Sequence, residues 1–235
     1  MIKIIFFDLD NTLAPVGKPT ADEDVVRLKR LYASGVRIAV CSGKPVSYLN
    51  GYARQLGIND IIIIGENGVT YQFGLALPPE ISGEISYPEE TEENLNRIKE
   101  EFDRLFTGKY WYQKNEHSFT PFPYKDEYFP AMYEYFERTI PGTGLVIYAQ
   151  PDCFDILPSG ISKGVAVKAV CSLLKTDLCD TASVGDSKND YPMFEVTGLS
   201  IGVELKDSSK ADINVKSLSE ALDYLYKEIK NERKL

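Results

Sequence analysis

Two carboxylates, Asp8 and Asp10, stand two residues apart in the run Asp8-Leu9-Asp10-Asn11-Thr12, directly after an apolar stretch. On an extended backbone the side chains repeat every second residue, so both point in one general direction. Like charges this close disfavour joint ionisation. A divalent cation can neutralise the pair. Alternatively, one acid stays ionised as a nucleophile while the other holds a proton to donate. A turn holding two solvated acids reads the same at this point. A second group, Ser42-Gly43-Lys44, follows another apolar stretch. Its hydroxyl and backbone N–H groups can hold phosphate oxygens, although strand-Ser-Gly-helix is also an ordinary connection. Lys163 precedes a helical pattern and can offer a compact cation to an anion, or simply be solvated. Gly185-Asp186-Ser187-Lys188-Asn189-Asp190 places two acids at i and i+4, an oxygen-rich set that suits a hard cation.

The surrounding pattern says what positions these residues. Lys3–Phe7, Val36–Cys41 and Ile61–Ile64 are short apolar runs, as expected of strands buried on both faces. Between them, Thr20 with Glu23 forms a capping-box pattern ahead of Val25, Leu28, Leu31 and Tyr32 at helical spacing, and Pro45 to Gly57 frames a second helix. Strand, helix, strand, helix, strand implies right-handed crossovers and a parallel sheet. The rhythm breaks near residue 78. A Tyr-, Phe-, Pro- and Glu-rich segment follows, reading as helix, two strands, helix, two strands, with Thr91 as the first helix cap. After Pro158 the β-α rhythm returns: a helix over Gly164–Leu174, strands at Thr181–Val184, Leu199–Val203 and Ile213–Val215, and a last helix opened by Ser217 with Glu220. The expected fold is α/β: a Rossmann-like parallel-sheet core of residues 1–78 and 159–235, interrupted by an α+β module of residues 79–158. One parallel sheet would gather all four chemical groups along one edge.

Composition narrows the class. With 235 residues and 43% hydrophobic content the chain can bury a substantial core. Its net charge is −9 and it has no Lys/Arg-rich run, so nucleic acid is not an expected partner. Cys41, Cys153, Cys171 and Cys179 form no CxxC pair, and His117 is the sole histidine, which argues against zinc. Asp8 and Asp10 interrupt the N-terminal apolar run well short of a signal peptide, and no apolar stretch reaches the roughly 18 residues of a membrane span. A cytoplasmic monomer or homodimer is expected.

Asp8-Leu9-Asp10-Asn11-Thr12, Ser42, Lys163 and Gly185-Asp186 with Asp190, in that order, resemble the four motifs of the haloacid dehalogenase superfamily. Gly65-Glu66-Asn67-Gly68 and Ser159-Gly160-Ile161-Ser162-Lys163-Gly164 resemble its Cof-like, subclass IIB branch, in which an α+β cap interrupts the core. The resemblance implies a phosphatase of small phosphate esters. It makes Asp8 the nucleophile and Asp10 the general acid and base. Thr12, Ser42, Gly43, Lys163 and Asn189 would bind phosphate. Asp8, Asp186 and the main-chain carbonyl of Asp10 would hold Mg²⁺, with Asp190 acting through a metal-bound water or by anchoring Lys163.

The module would choose the substrate. Lys114, His117 and Lys125 are candidate selecting residues there. Its aromatics Tyr110, Trp111, Tyr112, Phe119, Phe122 and Tyr124 read mostly as the module's own core. Two rivals stay open: a phosphomutase of the phosphomannomutase kind, and a non-catalytic binding module on the same scaffold.

Overall fold

In the computed structural model, which describes residues 1–232, the chain divides into two compact units. One comprises residues 1–85 and 162–235, the other 86–161. The last three residues of the expected core, 233–235, lie outside the described residues. The larger unit begins β1 (Ile4–Phe7), α1 (Asp22–Ala33), β2 (Arg37–Cys41), α2 (Val46–Leu56), β3 (Ile62–Gly65), β4 (Thr70–Phe73) and β5 (Ile81–Glu84). The second unit contains α3 (Glu89–Phe106), β6 (Tyr110–Gln113), β7 (Thr120–Pro123), α4 (Phe129–Thr139), β8 (Leu145–Ala149) and β9 (Phe154–Pro158). The chain then returns as α5 (Lys163–Leu173), β10 (Thr181–Gly185), the short α6 (Tyr191–Phe194), β11 (Leu199–Val203), β12 (Ile213–Val215) and α7 (Leu218–Glu232).

The larger unit is an eight-stranded sheet in the order β12-β11-β10-β1-β2-β3-β4-β5. Its strands run parallel from β12 through β3, and β4 and β5 are antiparallel. Period-two alternation feeds two layers. Ile5, Phe7, Ile38 and Val40 pack with Leu28, Leu49 and Leu225 of α1, α2 and α7. Ile4, Phe6, Ala39 and Cys41 pack with Val167, Val170 and Met193 of α5 and α6. That double burial is why these strands read as unbroken apolar runs. From β1 the chain winds outward to β2 and β3; from β10 it winds the other way. The order therefore reverses between β1 and β10, and ligands of such sheets bind in the crevice beyond the strand ends at that point.

Several expectations need correction. Thr20 does not cap α1, whose N-cap is Ala21 without a side-chain bond; the Thr20 hydroxyl instead meets that of Tyr52. Thr91 lies inside α3, whose N-cap is Pro88. Ser217 does accept the Glu220 N–H (3.3 Å), and the Glu220 carboxylate accepts the N–H of Lys216 (2.9 Å). Strands β4 and β5 were not expected. They carry the first segment of the larger unit to residue 85, where the sequence reading ended it at 78. β5 is the edge strand and is mostly exposed, and β4 beside it is mostly half-buried and carries polar Thr70 and Gln72, so both lack the apolar signature of the central strands. Among the described residues no helix is long and apolar enough to cross a membrane.

The second unit packs α3 and α4 against two hairpins, β6-β7 and β8-β9, which Phe119 and Ile156 join through reciprocal backbone bonds of 2.9 and 3.0 Å. Of the six aromatics read mainly as core, Tyr110 and Phe119 are buried. Trp111, Tyr112 and Tyr124 are exposed and Phe122 is intermediate, so that expectation fails for most of them. Pleat alternation accounts for Trp111, which neighbours Tyr110 on β6 and must face the opposite side. Phe102 is the ring that organises the buried cluster, with Phe136 stacked at 4.7 Å and Tyr110 and Phe119 edge-on at 4.8 and 5.4 Å. Phe102→Ala should therefore cost about 3–5 kcal/mol. Hydrogen exchange is expected to rise across residues 86–161 and to stay slow in β1, β2 and β10. Equal loosening of both units would show that Phe102 is not the centre of a separate core.

Candidate active site

Asp8 follows β1 directly. Its N–H donates to the Val184 carbonyl (2.9 Å), extending the parallel ladder and placing its side chain at the switch point between β1 and β10. Lys163 opens α5, behind the N-cap Ser162, whose hydroxyl accepts the Val165 N–H (3.3 Å). The Lys163 ammonium donates to Asp8 Oδ1 and to Asp190 Oδ1, both at 2.6 Å. All three side chains are buried. The other oxygen of Asp190 accepts the N–H groups of Asp186 and Ser187, both at 3.0 Å. Asp190 is thus the N3 residue of a capping box with Ser187, which holds its carboxyl against Lys163. Gly185 makes room for this fold-back, since a Cβ there would overlap the Asp190 carboxyl. Gly68, at φ 111°, lets the turn after β3 pass against the Ser162 carbonyl, which any Cβ would strike.

Burial and charge act together on these groups. Burial pushes the Asp8 carboxyl up, to about 8, against the downward pull of Lys163. Burial, then the neighbouring Asp190, raises Asp186 to about 6. For Lys163, burial alone would favour the neutral amine, but the carboxylates of Asp190 and Asp8 outweigh it and hold the ammonium above its ordinary range. Oxygens of Asp8, Asp186 and Asp190 lie within 4.8 Å of one another. Three carboxylates facing a single ammonium leave an excess of negative charge, and every donor is a hard oxygen. This set fits a hard divalent cation.

The remaining expected residues distribute as follows. The Thr12 hydroxyl donates to Asp186 Oδ1 (3.3 Å). Ser42 is buried beyond the end of β2, its hydroxyl accepting the Lys44 N–H (3.3 Å). Gly43 lies against the amide of Asn67, where a Cβ would come within 3.1 Å of Nδ2. Asn189 accepts the Ser187 hydroxyl (2.6 Å), and its own amide reaches Asn67 at 3.5 Å. The Asp10 side chain stands outside the three-carboxylate group and pairs with Lys44 at 3.4 Å. In the second unit, Lys114 donates to the Tyr112 hydroxyl (2.7 Å), Lys125 pairs with Glu127 (3.4 Å), and His117 Nδ1 meets the Tyr87 hydroxyl (2.8 Å).

Two residues were given no role by sequence reasoning. Asn67 ties the turn after β3 to Gly43 and Asn189. The signal for it was Glu66-Asn67 between two glycines: both residues adopt positive φ, 53° and 55°, a costly conformation for non-glycine residues that clusters at functional sites. Lys44 was quoted beside Ser42, yet nothing in its spacing announced the pairing with Asp10.

Cation binding at Asp8 and Asp186 must displace protons that their raised pKa values retain. The sign follows directly: affinity increases with pH. Between pH 6 and 8, where Asp8 is the group still protonated, Mg²⁺ affinity is expected to rise by about tenfold per pH unit. Calorimetry in buffers of different ionisation heat would show the matching proton release. A pH-independent affinity would mean that the cation does not use Asp8.

The chain is 29% identical to a phosphoglycolate phosphatase of Pyrobaculum aerophilum, over 89% of this chain and 86% of that one. It is 25% identical to a phosphoglycolate phosphatase of Metallosphaera sedula, over 96% and 98%. A haloacid dehalogenase-like hydrolase from Bacteroides thetaiotaomicron has the same fold, with a TM-score of 0.77 at 18% identity, over 96% of this chain and 100% of that one. The family model of haloacid dehalogenase-like hydrolases matches residues 5–74 and 84–209, most of the sequence. The chain belongs to the haloacid dehalogenase-like hydrolase family.

Proposed function

We propose that the chain is a Mg²⁺-dependent phosphatase of small phosphate monoesters that works through an aspartyl-phosphate on Asp8. The observation that carries this reading is the contrast between its two leading acids. Asp8 is buried and oriented by Lys163 at the switch point, as a nucleophile held for in-line attack requires. Asp10 is partly exposed and lies outside the carboxylate group, free to carry a proton in and out. In the first step an Asp8 oxygen bonds to phosphorus and the ester P–O bond breaks. The leaving oxygen keeps the electron pair and takes a proton from Asp10. In the second step Asp10 removes a proton from water, whose oxygen bonds to phosphorus. The bond to Asp8 breaks, releasing inorganic phosphate and restoring both acids.

Asp8, Asp186 and the main-chain carbonyl of Asp10 would hold Mg²⁺, which keeps several waters in near-octahedral geometry and so suits a short protein ligand list. When bound, the ion supplies positive charge that reduces repulsion between the carboxylate and the phosphate. Thr12, Ser42, Gly43 and Asn189 would bind phosphate oxygens, Lys163 would neutralise their charge, and Asp190 would anchor Lys163. The choice of leaving group falls partly to residues 86–161, where Lys114, His117 and Lys125 remain the proposed selecting side chains. The names of the relatives make phosphoglycolate a first ester to assay, beside sugar phosphates.

Asp8→Asn is nearly isosteric and a poor nucleophile, so p-nitrophenyl phosphate turnover is expected to vanish while the circular dichroism spectrum is kept. Asp10→Asn should lose roughly 10²–10⁴-fold in kcat. Substantial turnover by purified Asp8→Asn would contradict the mechanism.

A further inference from the structure

We propose that Lys44 is a specificity-determining residue that pairs with a second anionic group, a carboxylate or a phosphate, on the leaving group of the substrate. The proposal rests on the phosphatase reading above and adds a substrate class to it.

Each leading acid has a lysine partner, and the two partnerships differ in kind. Lys163 is fully buried and divides two 2.6 Å contacts between fixed carboxylates. Removing a partner there would strand a charge without water, so Lys163 is committed. Lys44 meets Asp10 at 3.4 Å, and the two side chains are 23% and 27% exposed. An ion pair in that setting is weak and water-screened, so its cation can change partners at little cost.

The base of Lys44 is nevertheless fixed. Its N–H donates to Ser42 Oγ (3.3 Å), and its carbonyl accepts the Glu66 N–H (3.0 Å). The ammonium therefore swings from an anchored backbone, beside Asp10 and near the Tyr48 ring (5.9 Å). In the proposed chemistry Asp10 passes its proton to the leaving oxygen, which must then come within about 3 Å of its carboxyl. A cation 3.4 Å from that same carboxyl lies within reach of an anionic substituent on the first or second carbon of the leaving group. Such a substrate offers Lys44 a replacement for Asp10, and a neutral leaving group offers none.

The test uses matched esters with wild type, Lys44→Gln and Lys44→Arg in Mg²⁺. 2-Phosphoglycolate and ethylene glycol bisphosphate carry the second anion as carboxylate or phosphate; 2-hydroxyethyl phosphate is the neutral counterpart. The quantity read is the ratio of kcat/KM, anionic over neutral ester. Lys44→Gln is expected to lower that ratio by about tenfold or more for at least one anionic ester, chiefly through KM, and Lys44→Arg to retain it within about threefold. The arm that falls identifies carboxylate or phosphate. An unchanged ratio in Lys44→Gln, whether or not all rates drop together, would overturn the proposal, because positioning of Asp10 alone acts on every ester alike. So would an equal loss in Lys44→Arg, which keeps the charge. Failure of the phosphatase reading shows differently: the wild type would then release phosphate from none of these esters, nor from p-nitrophenyl phosphate.

Discussion

The Lys163 ammonium sits in a dry crevice between two carboxylates, 2.6 Å from each, and the rest of the larger unit is arranged around that contact. A buried charge is tolerated only when its partners are fixed and their other valences filled. The fold meets each condition with a separate element. Strand β1 delivers Asp8, the capping box after β10 immobilises Asp190, and the start of α5 delivers Lys163. Gly185 and Gly68 are the close approaches that let those three segments converge. Asp186 adds a third carboxylate to a place with one ammonium. The resulting charge imbalance is the strongest physical argument for a divalent cation there; burial first, and the neighbouring carboxylates after it, raise Asp8 and Asp186.

The two acids of the first motif illustrate how environment assigns roles to identical side chains. Asp8 is enclosed, committed to Lys163 and unable to turn. Asp10, two residues on, lies beyond the end of β1, is partly exposed and pairs with a partly exposed Lys44. Nucleophile and proton carrier need opposite settings, rigid for one and exchangeable for the other. Under the proposed mechanism both settings lie within three residues, at the end of β1 where the sheet order reverses.

Much of this was legible in sequence for a physical reason. Strands covered on both faces read as apolar runs, so β1, β2 and β3 stood out, and acids placed directly after such a run are at a strand end. Ser42 and Asp186 followed from the same logic, while Lys163, ahead of a helix, stood out only through the family resemblance. What escaped was whatever tertiary contact decides. Strand β5 at the sheet edge and β4 beside it have mixed faces and gave no pattern. Thr20 and Thr91 carry capping chemistry, yet α1 and α3 start at other residues because Thr20 turns to Tyr52 and Thr91 is buried within its helix. Trp111 and Tyr124 were indistinguishable by type from the buried Tyr110 and Phe119. The Asp10–Lys44 pair joins residues from two separate strand ends, a proximity that only the sheet creates.

The central claim is that Asp8 forms a covalent bond to phosphorus. Quenching the reaction in acid during turnover of a phosphate ester, followed by borohydride reduction and peptide mass spectrometry, tests it directly. Reduction of an aspartyl-phosphate yields homoserine, and the account places that change at position 8 alone, dependent on substrate. Homoserine at another aspartate, or an unmodified Asp8 peptide from rapidly quenched protein that is turning over, would contradict it.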